Sequence, residues 1–236
     1  MKLNLLFFPL LAGVAFAAAV LPEQARAHGT VSSPVSRAYK CYVDGGYYWP
    51  TDGSAIPNAA CRAAFLASGD YPFKQWNEVS INILDYLNTQ AVREAIPNGQ
   101  LCSANDSKKS GLNLPSNEWH RTRVSPEGGK MAVDYLVTAP HSPSYFEFYL
   151  SKPGYDGLSP LGWDDLDLVE TVTDPSQYAL PNGGYRFSVS VPTDRAGDAV
   201  LFTRWQRIDE QGEGFYACSD IVIDNSRQGG QVNVPK

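Results

Sequence analysis

The pattern of hydrophobic and polar positions changes twice along this chain. From Leu3 to Val20 it is apolar apart from Asn4, after a single cation at Lys2, and it then turns polar through Pro22-Glu23-Gln24-Ala25-Arg26-Ala27. A short basic start, an apolar run and small residues at −3 and −1 form the layout of a cleaved secretory signal. The run lies at the lower edge of what a membrane span needs. The expectation is therefore cleavage after Ala27, no membrane attachment afterwards, and a mature domain of residues 28–236 that is secreted.

From about Tyr39 to Ser125 no period holds. Turn signals such as Asp44-Gly45-Gly46 and Pro97-Asn98-Gly99 break the stretch, and short helices are predicted over Asn58 to Ala67 and Thr89 to Ala95. An irregular stretch this long must be functional or pinned, and Cys41, Cys61 and Cys102 all fall within it. After Lys130 the pattern becomes that of strands: Met131 to Val137, Tyr145 to Leu150, Tyr185 to Val191, Ala199 to Gln206 and Phe215 to Asp224. Strands separated by turns predict an all-β fold, an immunoglobulin/fibronectin-III-like β-sandwich. Its long loop region would be disulfide-pinned and carry the short helices. The polar tail from Asn225 to Lys236 is expected to fray.

Composition narrows this picture. The chain has 236 residues and a net charge of −6, which becomes −7 once Lys2, Glu23 and Arg26 leave with the signal. With a sequence pI of about 5.0 and no basic tract, no nucleic-acid partner is expected. The four cysteines, Cys41, Cys61, Cys102 and Cys218, suit two disulfides in an oxidising compartment, and four allow three pairings. The length favours one domain.

The three histidines are His28, His120 and His141. His28 is the residue that cleavage after Ala27 would expose. A free α-amine has a pKa of about 8, far below lysine, so it can release its proton to a metal near neutral pH. That amine and Nδ1 of the same ring form one chelate, and a second imidazole completes a T of three nitrogens suited to copper. Gly29 adds no bulk beside it. The plain alternative is that His28 is the first polar residue of a frayed terminus. His120, in Asn117-Glu118-Trp119-His120-Arg121, reads as an ordinary exposed histidine. His141 follows a predicted strand, a good place to hold a ligand, and is the better second candidate.

Several segments resemble one family. His28-Gly29, then Ser33-Pro34-x-Ser36-Arg37-x-Tyr39-x-Cys41, is similar to the opening of the bacterial lytic polysaccharide monooxygenases of auxiliary activity family 10, formerly called chitin-binding proteins. Thr138-Ala139-x-His141 resembles their second-histidine segment. Lys152-Pro153-Gly154-Tyr155, Gly162-Trp163-Asp164-Asp165-Leu166 and Glu213-x-Phe215-Tyr216-x-Cys218-Ser219-Asp220 resemble the segments that follow. The likeness runs in order from His28 to about Asp224.

The resemblance implies roles. His28 and His141 would hold one copper ion, with Phe215 at its axial position. Ala139 would pack on the other side, and Glu213 would be a nearby carboxylate that hydrogen-bonds or protonates a bound oxygen species. Phe215 also reads as a core aromatic, and Glu213 as a solvated loop acid between glycines. Lys74, Gln75, Trp76, Asn77 and Glu78 fall where the family faces substrate, with Lys74, Trp76 and Asn77 as the substrate-binding candidates. The plain alternative for Trp76 is buried packing. The implied pairing is Cys41 with Cys61 and Cys102 with Cys218.

The implied activity is oxidative. An external reductant reduces the copper, hydrogen peroxide or dioxygen is the co-substrate, and a hydrogen is removed from a C–H bond beside the glycosidic oxygen. The partner would be a crystalline polysaccharide surface and the protein a monomer. The Gly162 to Leu166 segment, with Asp167-Leu168 and Thr171-Val172, most resembles the branch that includes cellulose-active members. Cellulose is thus favoured with chitin second, and C1 oxidation with C4 second. Two other readings remain: a non-catalytic carbohydrate-binding protein or adhesin, and a secreted copper carrier. Neither accounts for His28, His141 and the Glu213-to-Phe215 spacing together with the long loop surface.

Overall fold

The computed structural model describes residues 27–45 and 51–225. The signal segment up to Arg26, Gly46 of the first turn and the tail beyond Asn225 lie outside the described residues.

Two sheets face each other. The smaller has strand order β1-β4-β7, with β1 at His28–Ser33, β4 at Lys130–Ala139 and β7 at Tyr185–Ser190, all antiparallel. The larger has the order β2-β9-β8-β5-β6: β2 Ser80–Asn82, β9 Glu213–Ile223, β8 Gly197–Arg207, β5 Ser144–Ser151 and β6 Leu166–Val172. A short β3, Arg121–Val124, pairs in parallel with the far end of β9. This is the expected sandwich. The predicted strands recur as β4, β5, β7, β8 and β9, whereas β1, β2, β3 and β6 are additional.

The inner strands β5, β8 and β9 of the larger sheet are buried on both faces, and residue parity sorts their side chains. On β8 and β9 the odd positions Leu201, Trp205, Phe215, Ala217 and Ile221 join Val31, Val133, Phe146 and Phe187 between the sheets. The even positions Val200, Phe202, Tyr216 and Cys218 face the other way, into a second core with Phe73, Trp76, Leu101, Trp119 and Trp163. Two apolar faces give these strands nearly continuous burial instead of alternation.

The second core is roofed by the long region before Ser125, which is more regular than predicted. It carries α1 Arg37–Val43, α2 Ala59–Ser68, α3 Tyr71–Lys74 and α4 Thr89–Ala95, with 3₁₀ turns at Leu101–Ser103 and Ser107–Asn113. Asn58 caps α2 by accepting from the Cys61 N–H at 2.8 Å, and Asn88 caps α4, which starts where predicted. Disulfides join Cys41 to Cys61 and Cys102 to Cys218. Between roof and sheet, Arg37 forks onto Asp220 at 2.7 and 2.9 Å, donates to the Leu112 carbonyl at 2.8 Å and lies over the Trp119 ring. A guanidinium this buried persists because its donors are met.

Candidate metal centre

Strand pairing brings the two histidines to one end of the smaller sheet. His28 lies opposite Ala139, the last residue of β4, and His141 follows two residues later. Gly29 makes this register possible. A Cβ there would lie 2.5 Å from Tyr135 Cε1 and 2.7 Å from the Leu136 carbonyl oxygen. The Gly29 N–H donates to the Asn77 carbonyl at 2.9 Å, and the Asn77 side-chain amide donates to Thr138 Oγ1 at 2.8 Å. The turn at Gln75–Glu78 is thus tied to both strands that carry the site.

The larger sheet supplies the floor. Phe215, fully buried, meets the His28 ring edge-on with centroids 6.3 Å apart. Behind it Trp205 and Phe146 continue a row of rings across β8 and β5, at 5.2 and 5.8 Å. Phe215 is therefore both a core aromatic and a neighbour of His28.

The β8–β9 hairpin adds a charged chain. Arg207 donates to Asp209 Oδ2 and Glu213 Oε2, both at 2.8 Å, and Ser80 lies 3.2 Å from Glu213 Oε1. Glu213 is therefore a held carboxylate and not a solvated loop acid. Gly212 takes a left-handed φ of 59°, and a Cβ there would meet the Ile83 carbonyl oxygen at 2.2 Å. Burial alone would raise the Asp209 carboxyl, but Arg207 and the backbone amides of Gly212 and Gln211 outweigh it and leave Asp209 below the usual range. Burial and the Arg207 charge push the His141 imidazole down, against Asp209 and Glu213. His141 Nε2 lies 3.1 Å from Asp209 Oδ2 but is buried and not aligned for a hydrogen bond.

That unsatisfied nitrogen fits a metal. A neutral imidazole keeps a lone pair, and a buried polar atom without a partner is costly unless a ligand meets it. Among the described residues no group of three or more His, Cys, Asp or Glu side chains forms a metal cluster. A ligand set of two imidazoles and a main-chain amine does not require one.

The other sequence-predicted residues divide. Ala139 sits opposite His28, half-buried. Lys74 pairs with Asp70 on α3, and Asn77 is engaged by Thr138. Trp76 requires correction as a sugar-stacking platform. It is 9% exposed, and its ring packs against Tyr39 and Tyr42 at 4.7 and 5.1 Å, because the turn after α3 points it into the second core. His120 is exposed, as expected. Sequence reasoning missed Arg207, Asp209 and Ser80. The spacing Arg207-x-Asp209 followed by Glu213 in one hairpin was the available signal. A shallow groove beside His141 is lined by Ser142, Thr173, Asp174, Ser176 and Tyr185.

Fold and site together define a two-core β-sandwich with a histidine pair at one end, backed by a phenylalanine. The chain belongs to the lytic polysaccharide monooxygenases: the family model described as "Lytic polysaccharide mono-oxygenase, cellulose-degrading" matches residues 28–221. The chain is 38% identical over 207 residues to chitin-binding protein CbpD of Pseudomonas aeruginosa, covering 87% of this chain and 50% of that protein. It is 38% identical over 211 residues to a lytic cellulose monooxygenase of Streptomyces ambofaciens, covering 85% and 54%. The chain thus spans about half the length of these curated relatives. Among solved structures, the cellulose-active CelS2 in complex with copper superposes with a TM-score of 0.70 at 36% identity, covering 84% of this chain and 99% of that chain. An entomopoxvirus fusolin superposes at 0.76 with 29% identity, covering 89% and 81%. Among the described residues no helix is long and apolar enough to cross a membrane.

Proposed function

We propose that residues 1–27 are removed as a secretory signal, that the mature extracellular protein begins at His28, and that it cleaves crystalline polysaccharide oxidatively. One copper ion would be held by the α-amine and Nδ1 of His28 and by Nε2 of His141. The observation that carries this reading is the buried Nε2 of His141, which makes no hydrogen bond and lies two residues past the strand paired with His28. The family match that begins at His28 supports the cleavage site.

Copper, when bound, supplies one-electron chemistry toward hydrogen peroxide or dioxygen, with electrons from an external reductant. The chain's own residues shape the surroundings. Phe215 offers no lone pair and closes the inner side with hydrocarbon. Arg207 and Ser80 hold the Glu213 carboxylate as a hydrogen-bonding group for an oxygen species or water beside the site. Ala139 leaves room where a larger side chain would close access. Lys74 and Asn77, with the groove beside His141, present polar groups to sugar hydroxyls. Cellulose is favoured, with chitin as second substrate and C1 as the main oxidised position, C4 second. The relatives named for cellulose cleavage and chitin binding support both polymers. The protein acts as a monomer.

The test is intact-mass analysis of the secreted protein, then product analysis on cellulose and on chitin with copper and a reductant. Oxidised oligosaccharides are expected from at least one polymer. A copper-loaded protein that binds either polymer and releases none would instead be the non-catalytic adhesin. His141→Ala is expected to weaken copper binding by orders of magnitude; unchanged affinity would place the second ligand elsewhere.

A further inference from the structure

We propose that Glu78 is a positioning residue for His28, accepting the ring Nε2–H and so fixing the tautomer whose Nδ1 lone pair points to copper. The proposal rests on the reading of His28 as a ligand and adds a residue to it. A neutral imidazole carries one ring hydrogen, and the hydrogen bond made by one nitrogen decides the state of the other. A chelate through the α-amine and Nδ1 requires that hydrogen on Nε2.

Glu78 Oε2 lies 3.6 Å from His28 Nε2, with both side chains partly buried, 30% and 19% exposed. A small side-chain rotation closes that gap to a hydrogen bond. Two carboxylates approach the histidine pair, and they differ. The Asp209 carboxylate is committed to Arg207 and to the amides of Gln211 and Gly212. The Glu78 carboxylate has His28 as its partner among the described residues.

The backbone beneath Glu78 is fixed. Its N–H donates to the Gln75 carbonyl at 3.2 Å, and its carbonyl accepts from the buried Lys109 ammonium, which Asp106 also holds at 3.1 Å. One residue earlier, Asn77 is bonded to Gly29 and Thr138. The carboxylate is therefore presented to the ring by a braced turn tied to His28's own strand. A group anchored in this way orients a metal-binding imidazole before the metal arrives.

The experiment uses the processed protein, copper-free and labelled with ¹⁵N-histidine, at about pH 8, above the ordinary imidazole range. Long-range ¹H–¹⁵N spectra report which nitrogen of His28 is protonated. Wild type should show Nε2–H, Glu78→Ala a mixture, and Glu78→Gln the wild-type state, since its amide oxygen also accepts. Copper(II) affinity by calorimetry should fall by about 10- to 100-fold in Glu78→Ala and by no more than about threefold in Glu78→Gln. An Nδ1–H tautomer in wild type overturns the proposal even if Glu78→Ala fails to fold. So do unchanged tautomer and affinity in a folded Glu78→Ala. A wild type that binds no copper sinks the ligand reading instead, and the tautomer still decides the Glu78 contact separately.

Discussion

Removing the Cys102–Cys218 disulfide should cost more than removing Cys41–Cys61, by an amount that follows from chain connectivity. The bonds join residues 116 and 20 apart in sequence. In the chain-entropy account, closing such loops restrains the unfolded state by about 5 and about 3 kcal/mol, a difference of about 1.5 kcal/mol. All four cysteines are buried in the second core, so each double Cys→Ala variant also leaves a small void, and the difference between the two is set by loop length. For a domain of about 200 residues, 5 kcal/mol corresponds to a fall in Tm of about 10–20 °C. The assay is denaturant unfolding of the copper-free protein followed by tryptophan fluorescence, comparing the two double variants with wild type. The slope against denaturant should rise in both variants, as the released unfolded chain expands. Equal losses, or a larger loss from the Cys41–Cys61 pair, would refute the connectivity argument. Stability would then reside in local packing around the cysteines.

Two further outcomes follow from geometry and burial. Gly29→Ala should lose about 1–3 kcal/mol, because its Cβ has no space between Tyr135 and the Leu136 carbonyl, and should weaken copper binding as β1 shifts; thermal melts and calorimetry check both. Burial pushes the phenols of Tyr145, Tyr155 and Tyr216 up to about 12, so the unfolded chain loses these protons first. The stability they contribute is complete below about pH 10 and lost as pH rises through 12. Phenolate absorbance should lag the ordinary tyrosine range and then rise together with unfolding; a simple titration near pH 10 for every tyrosine would contradict this.

Much of the sandwich was legible where one face alone met a core. Tyr185 to Val191 alternates because its outer face is wet, and it became β7. Two of the four additional strands are too short to show a pattern. β2 and β3 have three and four residues and exist by pairing with β9, so they carry no period of their own. Of the candidate site, the histidines were singled out through chemistry, one by an expected processing site and the other by a strand end, and strand pairing brings them to one end of the smaller sheet. The Arg207–Asp209–Glu213 chain was less legible, because charges in a hairpin look alike whether solvated or linked. Trp76 shows the converse limit. An aromatic among polar residues suggests a surface, yet the turn that follows α3 points it inward.

The parity of β8 and β9 has a consequence for how such a protein changes. Each strand carries two interleaved texts, one read by the sandwich and one by the loop roof. Substitutions at even positions can reshape the roof while the odd text stands. A single-residue insertion ahead of Phe215 would exchange the two texts, moving Tyr216 and Cys218 into the inter-sheet core and Phe215 away from His28. Insertions are therefore confined to the turns, and diversity among such proteins should accumulate as substitutions along these strands and as length changes beyond them.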